Sequence, residues 1–267
     1  MPKPFSILKI ILMSGCMISF FISPAQDYYN DTKAKDKPVK EKSYTEKGFS
    51  ISVSVGSAVP TKSFSSTNVK NSFWDFNSVD SVKLQGFAKT GIHFNITTSY
   101  LFPNGIGIMS MIGNNANSFD IHTFAATVGV PFTTVEGFHT REFLIGPYFS
   151  FAGGSNFTFE ANTMIGIVTA NYPTITQTVV DTTEAIKFNS GSSLGFSIGG
   201  TVKYGITRRI SVSVNVSYLQ AKIVYHGWTD TYTAPGYYPY VIEHPNDIAT
   251  MPIGILKITG GFVFKFH

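Results

Sequence analysis

The sequence predicts an all-β protein, an eight-stranded antiparallel up-and-down transmembrane β-barrel. Three observations carry that expectation. Side chains alternate apolar and small-polar with a period of two along eight segments, the signature of strands with two different faces. Short and long connections alternate between those segments, as they do in barrels whose turns lie on one rim and loops on the other. Finally, charged residues make up only 13% of the 267 residues while aromatic residues make up 15%, against about 25% charged in an ordinary soluble domain. No run of about 18 apolar residues follows the N-terminal segment, so helical membrane spans are not expected.

Residues 1–25 read as a secretory signal. Lys3 and Lys9 form a basic start, "IILMSGCMISFFI" an apolar run, and "SPA" a small-residue cleavage site near Ala25. The sole cysteine, Cys16, lies in that run, so the exported chain is expected to hold no disulfide. "MSGC" also loosely matches a lipoprotein processing site at Cys16, a rival reading. Loss of Lys3 and Lys9 with no accompanying acid lowers the net charge from +4 by two, which is no nucleic-acid footprint. Residues 26–47, with "TKAKDKPVKEKSYTEK", are polar and unpatterned and read as a flexible periplasmic leader. The barrel is expected over 48–267.

The first strand, "GFSISVSVGSAV", sets Phe49, Ile51, Val53 and Val55 against Ser50, Ser52, Ser54 and Gly56. "GIHFNITTSYLF" sets Ile92, Phe94, Ile96 and Tyr100 against His93, Asn95, Thr97 and Ser99, and "IGIMSMIG" follows after the turn "FPNG". "REFLIGPYFSF" places Phe143, Ile145, Phe149 and Phe151 opposite Glu142, Gly146, Tyr148 and Ser150. In "FTFEANTMIGIV" the apolar face holds Phe157, Phe159, Ile165 and Ile167. "SSLGFSIGGTVKYG" and "RISVSVNVSYL" repeat the pattern with Leu194, Phe196, Ile198, Val202 and Tyr204, then Ile210, Val212, Val214, Val216 and Tyr218. The last strand runs from Leu256 to Phe266, with Phe262, Phe264 and Phe266 on one face and Val263 and Lys265 on the other.

The turns "FPNG", "AGGSN" and "GITR" are tight, whereas 60–86, 116–137, 170–190 and 223–249 are long connections. An even strand count returns both ends to the rim of the short turns. Volume then decides which face looks out. Eight strands leave an interior only wide enough for side chains, so the Gly, Ser, Thr and Asn face belongs inside and the Phe, Ile and Val face against hydrocarbon. Phe49, Tyr100, Phe102, Phe149, Phe151, Phe157, Phe159, Tyr204, Phe264 and Phe266 are all expected near the rim of the short turns, as an interfacial aromatic girdle.

From Gly48 onward the chain resembles the small eight-stranded outer-membrane β-barrel family of Bacteroidetes-type Gram-negative bacteria. It is similar in architecture to OmpA/OmpX-type barrels and PorT-like barrel domains. "GFSISVSVGSAVP", "FLIGPYFSF" and "GGFVFKFH" carry the likeness. The ending resembles the signal read by the barrel-assembly machinery, although His267 follows the terminal aromatic. The resemblance implies residence in the cell outer membrane, contact with outer-membrane lipids, and envelope or secretion-system protein partners; no OmpA-type peptidoglycan-binding domain is expected.

Glu142, Glu160, Lys203, Lys257 and Lys265 fall on the luminal face, where charges need partners. Glu160 and Lys203, on neighbouring strands near one rim, are the expected pair; a proton or ion path is the functional alternative. His93 faces the lumen, His122 and His139 flank the second long connection, and His226 and His244 lie in the fourth. Some eight-stranded barrels resemble lipid A deacylases or acyltransferases, which makes His226 or His244 the residues for an outer-leaflet lipid A-modifying alternative. No nucleophile signature accompanies any of them, and no compact His or Cys spacing suggests a metal. The fourth connection is rich in rings, with Trp228, Tyr232, Tyr237, Tyr238 and Tyr240 suited either to a partner or sugar, or to packing as a rigid cap. The four sequons, at Asn30, Asn95, Asn156 and Asn215, mean little, because two lie inside expected membrane strands and the expected compartment is bacterial. The expectation is a non-enzymatic barrel without catalytic, cofactor or metal site and without nucleic-acid binding. Its role is structural, adhesive or envelope-assembly, and a soluble lipocalin-like carrier is the remaining alternative.

Overall fold

The computed structural model describes residues 47–75, 82–133, 136–153 and 156–266. The signal, Cys16, Asn30, all of the leader but Lys47, and His267 lie outside the described residues. Among the described residues eleven strands form one sheet: β1 (Gly48–Pro60), β2 (Gly91–Leu101), β3 (Ile106–Asn117), β4 (Phe132–Thr133), β5 (Phe138–Ala152), β6 (Phe157–Asn171), β7 (Ile175–Val179), β8 (Thr182–Phe188), β9 (Gly191–Gly205), β10 (Ile210–Thr233) and β11 (Tyr240–Phe266). Eight of them close a ring in the order β11, β1, β2, β3, β5, β6, β9, β10, with β10 pairing back onto β11. Every ring contact is antiparallel. The terminal strand thus has a partner on both sides, Phe264 opposite Ile51 on one and Ile210 on the other. Ring closure leaves no open sheet edge in the bilayer.

The expected orientation holds strand after strand. Val55, Phe94, Ile112, Phe143, Ile165, Phe196, Val214 and Phe262 are exposed on the outer face, while Ser54, Asn95, Glu142, Asn162, Ser197, Ser213 and Thr259 are buried inside. All ten residues of the proposed girdle are exposed. Several meet across strands, with Phe49 and Phe266 at 5.9 Å, Phe151 and Phe159 at 5.6 Å and Phe157 and Tyr204 at 5.1 Å between ring centroids. On β5 the outward apolar run from Phe143 to Phe151 spans about 26 Å of strand, or about 20 Å along the membrane normal after tilt. That height suits the apolar band of a bilayer-spanning barrel. Outward bulk on this scale has no place on a water-soluble carrier, so the lipocalin-like alternative falls. Among the described residues no helix is long and apolar enough to cross a membrane; strands do the crossing.

Two of the three tight turns form as their chemistry requires, while part of the third, at "AGGSN", lies outside the described residues. Gly105 takes the left-handed conformation (φ 79°) between β2 and β3, and the Asn104 side chain accepts from the Ile106 amide. Between β9 and β10 the Thr207 hydroxyl accepts from the amides of Arg209 and Ile210.

The long connections depart from expectation. The fourth is not a loop over 223–249 but the continuation of β10 and β11, which are 24 and 27 residues long. The last strand therefore starts at Tyr240, well before the point at Leu256 where alternation becomes legible in the sequence. The third connection is the β7–β8 hairpin, which pairs with the upper part of β10 and carries β4 at its far edge. The second contains helix α1 (Ile121–Val128). Asp120 caps it by accepting from the Thr123 amide, and Gly129 (φ 80°) ends it with its own amide donating to the Ala125 carbonyl.

Candidate functional site

The lumen is layered. On the side of the short turns it is polar, and Glu160 and Lys203 meet there as expected, Lys203 Nζ standing 2.6 Å from Glu160 Oε1. Next to them lies a cavity of about 40 Å³, lined by serines and threonines together with Asn95, Met109, Met111, Asn162 and Asn215. That is room for about three water molecules. Glu160 Oε2, Asn162 Oδ1 and Asn95 Oδ1 have no protein partner, and water in the cavity would satisfy them.

Above this layer lies a second ion pair. Lys257 Nζ donates to both carboxylate oxygens of Glu142, at 2.8 and 2.9 Å, and both residues are buried, at 0% and 2% exposure. Their strands, β11 and β5, are four places apart in the eight-stranded ring, so the pair crosses the diameter of the barrel. His93, from β2 midway between them, sits with Nδ1 3.7 Å from Glu142 Oε1. Gly113 makes the room: a Cβ there would lie 2.7 Å from Glu142 Oε1 and 2.9 Å from His93 Cε1. Both lysines and both glutamates therefore lie inside as the alternation indicates, but the cross-lumen pairing was not legible in it. Lys265, the fifth charge assigned to this face, is half-buried at the short-turn rim.

Beyond the ion pair the interior changes character, and here the expectation of a small, polar filling is corrected. Leu144, Val168, Leu219, Ile253 and Ile255 are fully buried and lead into an aromatic core built from the connections. Phe64 and Trp74 come from the first connection, Phe119 and Phe124 from the second, and Tyr172 and Phe188 from the third. Trp74 meets Phe73, Phe124, Phe132, Tyr172 and Phe188 at centroid distances of 5.0 to 6.4 Å. Its Nε1 donates to the Tyr172 hydroxyl, which donates in turn to the Gln85 carbonyl. Burial pushes the Tyr172 phenol well above its ordinary pKa. Among the described residues these side chains pack together over the outer mouth.

Two carboxylates lock the rim of this cap. Asp120, at the start of α1, pairs with Lys89 at 3.1 Å and accepts from Thr123. Desolvation pushes its pKa up, but these hydrogen bonds outweigh it and hold the group below its usual value. Glu136 accepts from the backbone and hydroxyl of Thr174, which depress its pKa and tie the second connection to the third.

The ring-rich fourth segment divides between its two expected uses. Trp228 joins the cap, 5.2 Å from Phe73 and 5.7 Å from Phe188, and Tyr232 donates to Glu184 at 2.7 Å. Tyr237, Tyr238 and Tyr240 stand out at the hairpin tip, at 80%, 98% and 66% exposure. His226 and His244 lie on β10 and β11 rather than in a loop. His244 stacks on Trp228 at 4.9 Å, with Nε2 3.0 Å from Asp230 and Nδ1 3.2 Å from Asp247. His122 and His139 are exposed on α1 and β5. Among the described residues no group of three His, Cys, Asp or Glu side chains is arranged to hold a metal ion.

The closed ring and the outward apolar belt define a transmembrane β-barrel of the outer-membrane type. No protein-family model matches the chain, and no curated protein matches it. Solved structures do resemble it. A major outer membrane protein from Thermus thermophilus aligns at 13% identity and a TM-score of 0.46, covering 82% of this chain and 99% of that one. Neisserial surface protein A aligns at 12% and 0.45, covering 82% and 97%. The outer membrane protein OprG from Pseudomonas aeruginosa aligns at 13% and 0.45, covering 82% and 96%.

Proposed function

We propose that the chain is a non-enzymatic barrel of the cell outer membrane that carries a rigid extracellular cap and presents a tyrosine-tipped hairpin for adhesion or for binding an envelope partner. The observation that carries this reading is the exposure of Tyr237, Tyr238 and Tyr240 at the end of a hairpin that continues past the belt. From Lys222 to Thr233, β10 alone covers about 36 Å of strand. Isolated tyrosines on a flexible loop would be ordinary; three on a paired, cap-buttressed hairpin form a contact surface that loses little entropy on binding. A role as an open pore is disfavoured by the aromatic core in the outer mouth.

Of the two histidines named for the outer-leaflet enzyme reading, His244 is the weaker on geometric grounds. Both ring nitrogens of His244 face carboxylates, so neither is available to activate a hydroxyl. The resemblance carried by "GFSISVSVGSAVP", "FLIGPYFSF" and "GGFVFKFH" extends the proposal to a PorT-like barrel of Bacteroidetes type, inserted by the barrel-assembly machinery, with envelope or secretion-system partners.

The test replaces Tyr237, Tyr238 and Tyr240 together by Ser in whole cells and measures adhesion and photo-crosslinking from the hairpin tip. Loss of both, with surface level and lipid A acylation unchanged, is the expected result. Undiminished crosslinking and adhesion would overturn the proposal, and altered lipid A in a deletion strain would favour the enzyme.

A further inference from the structure

Just above the belt, on the outer face of β5, the chain places an unusual group. Arg141 is exposed two residues beyond Phe143 and, among the described residues, has no ion-pair partner. The register puts Asn114 of β3 directly beside it on one flank and Thr169 of β6 on the other. His139 follows on the same face, flanked by Asn171. Directly below runs an unbroken apolar row in which Phe143 is paired with Ile112 and Ile167, at 52%, 64% and 56% exposure. Arginine's planar fork is matched to two phosphate oxygens. The amide and hydroxyl on either side add donors at neighbouring positions, and the row beneath continues into the surface that meets acyl chains.

We infer that this patch binds the phosphomonoester of an outer-leaflet glycolipid, with Arg141 as the phosphate-gripping residue, Asn114 and Thr169 as flanking donors, and the Ile112, Phe143 and Ile167 row beneath the acyl chains. The occupant is a lipid rather than a soluble phosphate because the cation and the lipid-facing row are continuous on one face. Glu136 lies within electrostatic reach of His139, which leaves Arg141 as the principal contact. Lys222, the outward cation on β10, is opposite Pro252 in the register, which offers no donor on that flank.

The inference rests on the outer-membrane reading, and the experiment separates the two. The folded full-length barrel is first inserted into neutral phosphatidylcholine vesicles; failure there counts against the belt itself. Binding of lipid A and of phosphatase-treated lipid A is then measured by native mass spectrometry from a neutral detergent. Wild-type protein is expected to prefer the phosphorylated lipid. Arg141→Gln should weaken that binding about ten- to a hundredfold, the range for losing a bidentate charge-assisted contact, Arg141→Lys should weaken it less, and Lys222→Gln should leave it unchanged. Equal binding of the two lipids, an Arg141→Gln variant that binds as wild type, or an equal loss in Lys222→Gln overturns the inference while leaving the barrel assignment intact.

Discussion

The most exacting test of the layered lumen is removal of one half of its deepest ion pair. In Lys257→Met the carboxylate of Glu142 loses both of its 2.8 and 2.9 Å contacts while remaining buried. The nearest group of possible positive charge is then His93, at 3.7 Å. Breaking a buried pair from one side costs about 3–5 kcal/mol, because the orphaned charge keeps its desolvation penalty. At about 1.4 kcal/mol per decade that is a loss of about two to four decades in the folding equilibrium, a large part of the roughly 5–15 kcal/mol of an ordinary domain. The double change Glu142→Leu with Lys257→Met removes the charges together and should recover most of the loss. Urea unfolding in neutral vesicles reads it out with two probes. Trp74 and Trp228 are the chain's two tryptophans and both lie in the cap, so their fluorescence follows the cap, while compact migration of unheated protein in gel electrophoresis follows the barrel. Because the pair lies directly under the cap, both probes should shift. A single variant costing under about 1 kcal/mol, or a double variant as costly as the two singles summed, would refute the reasoning.

Three further outcomes are expected. Trp74→Ala should cost the cap about 3–5 kcal/mol, the usual range for emptying a buried aromatic site, and should raise proteolysis of the long connections without impairing insertion. Gly113→Val forces a side chain into the space held by Glu142 and His93, so its urea midpoint should fall as in Lys257→Met, whereas Gly113→Ala should fall less. Acid should loosen the cap before the barrel: Asp120 and Glu136 have folded pKa values below their unfolded ones, so their stabilisation is complete well above the ordinary carboxylate range of about pH 4 and is lost as pH falls through the folded values. Hydrogen exchange of α1 at low pH against neutral pH measures this, and Asp120→Asn should flatten the dependence.

The residues themselves determined everything that depends on side-chain period and volume. Alternation along the eight ring strands set which face of each one meets lipid. The bulk of Phe, Ile and Val against Ser, Gly and Asn decided in from out, and the placement of Phe49, Tyr100 and Phe264 near the short turns marked the girdle. The Glu160–Lys203 contact was also legible, because β6 and β9 are adjacent in both chain order and ring order once the β7–β8 hairpin is set aside. Only the tertiary structure decided the rest. Glu142 and Lys257 stand on opposite walls, and periodicity reports a face but neither a depth nor an angle around the axis; those follow from closure and stagger of the whole ring. The cap was hidden for a different reason. Phe64, Trp74, Phe124 and Tyr172 lie in segments with no repeating period, where apolar content was the one available signal, and they become a core only when three connections and the extended β10–β11 hairpin converge over one mouth.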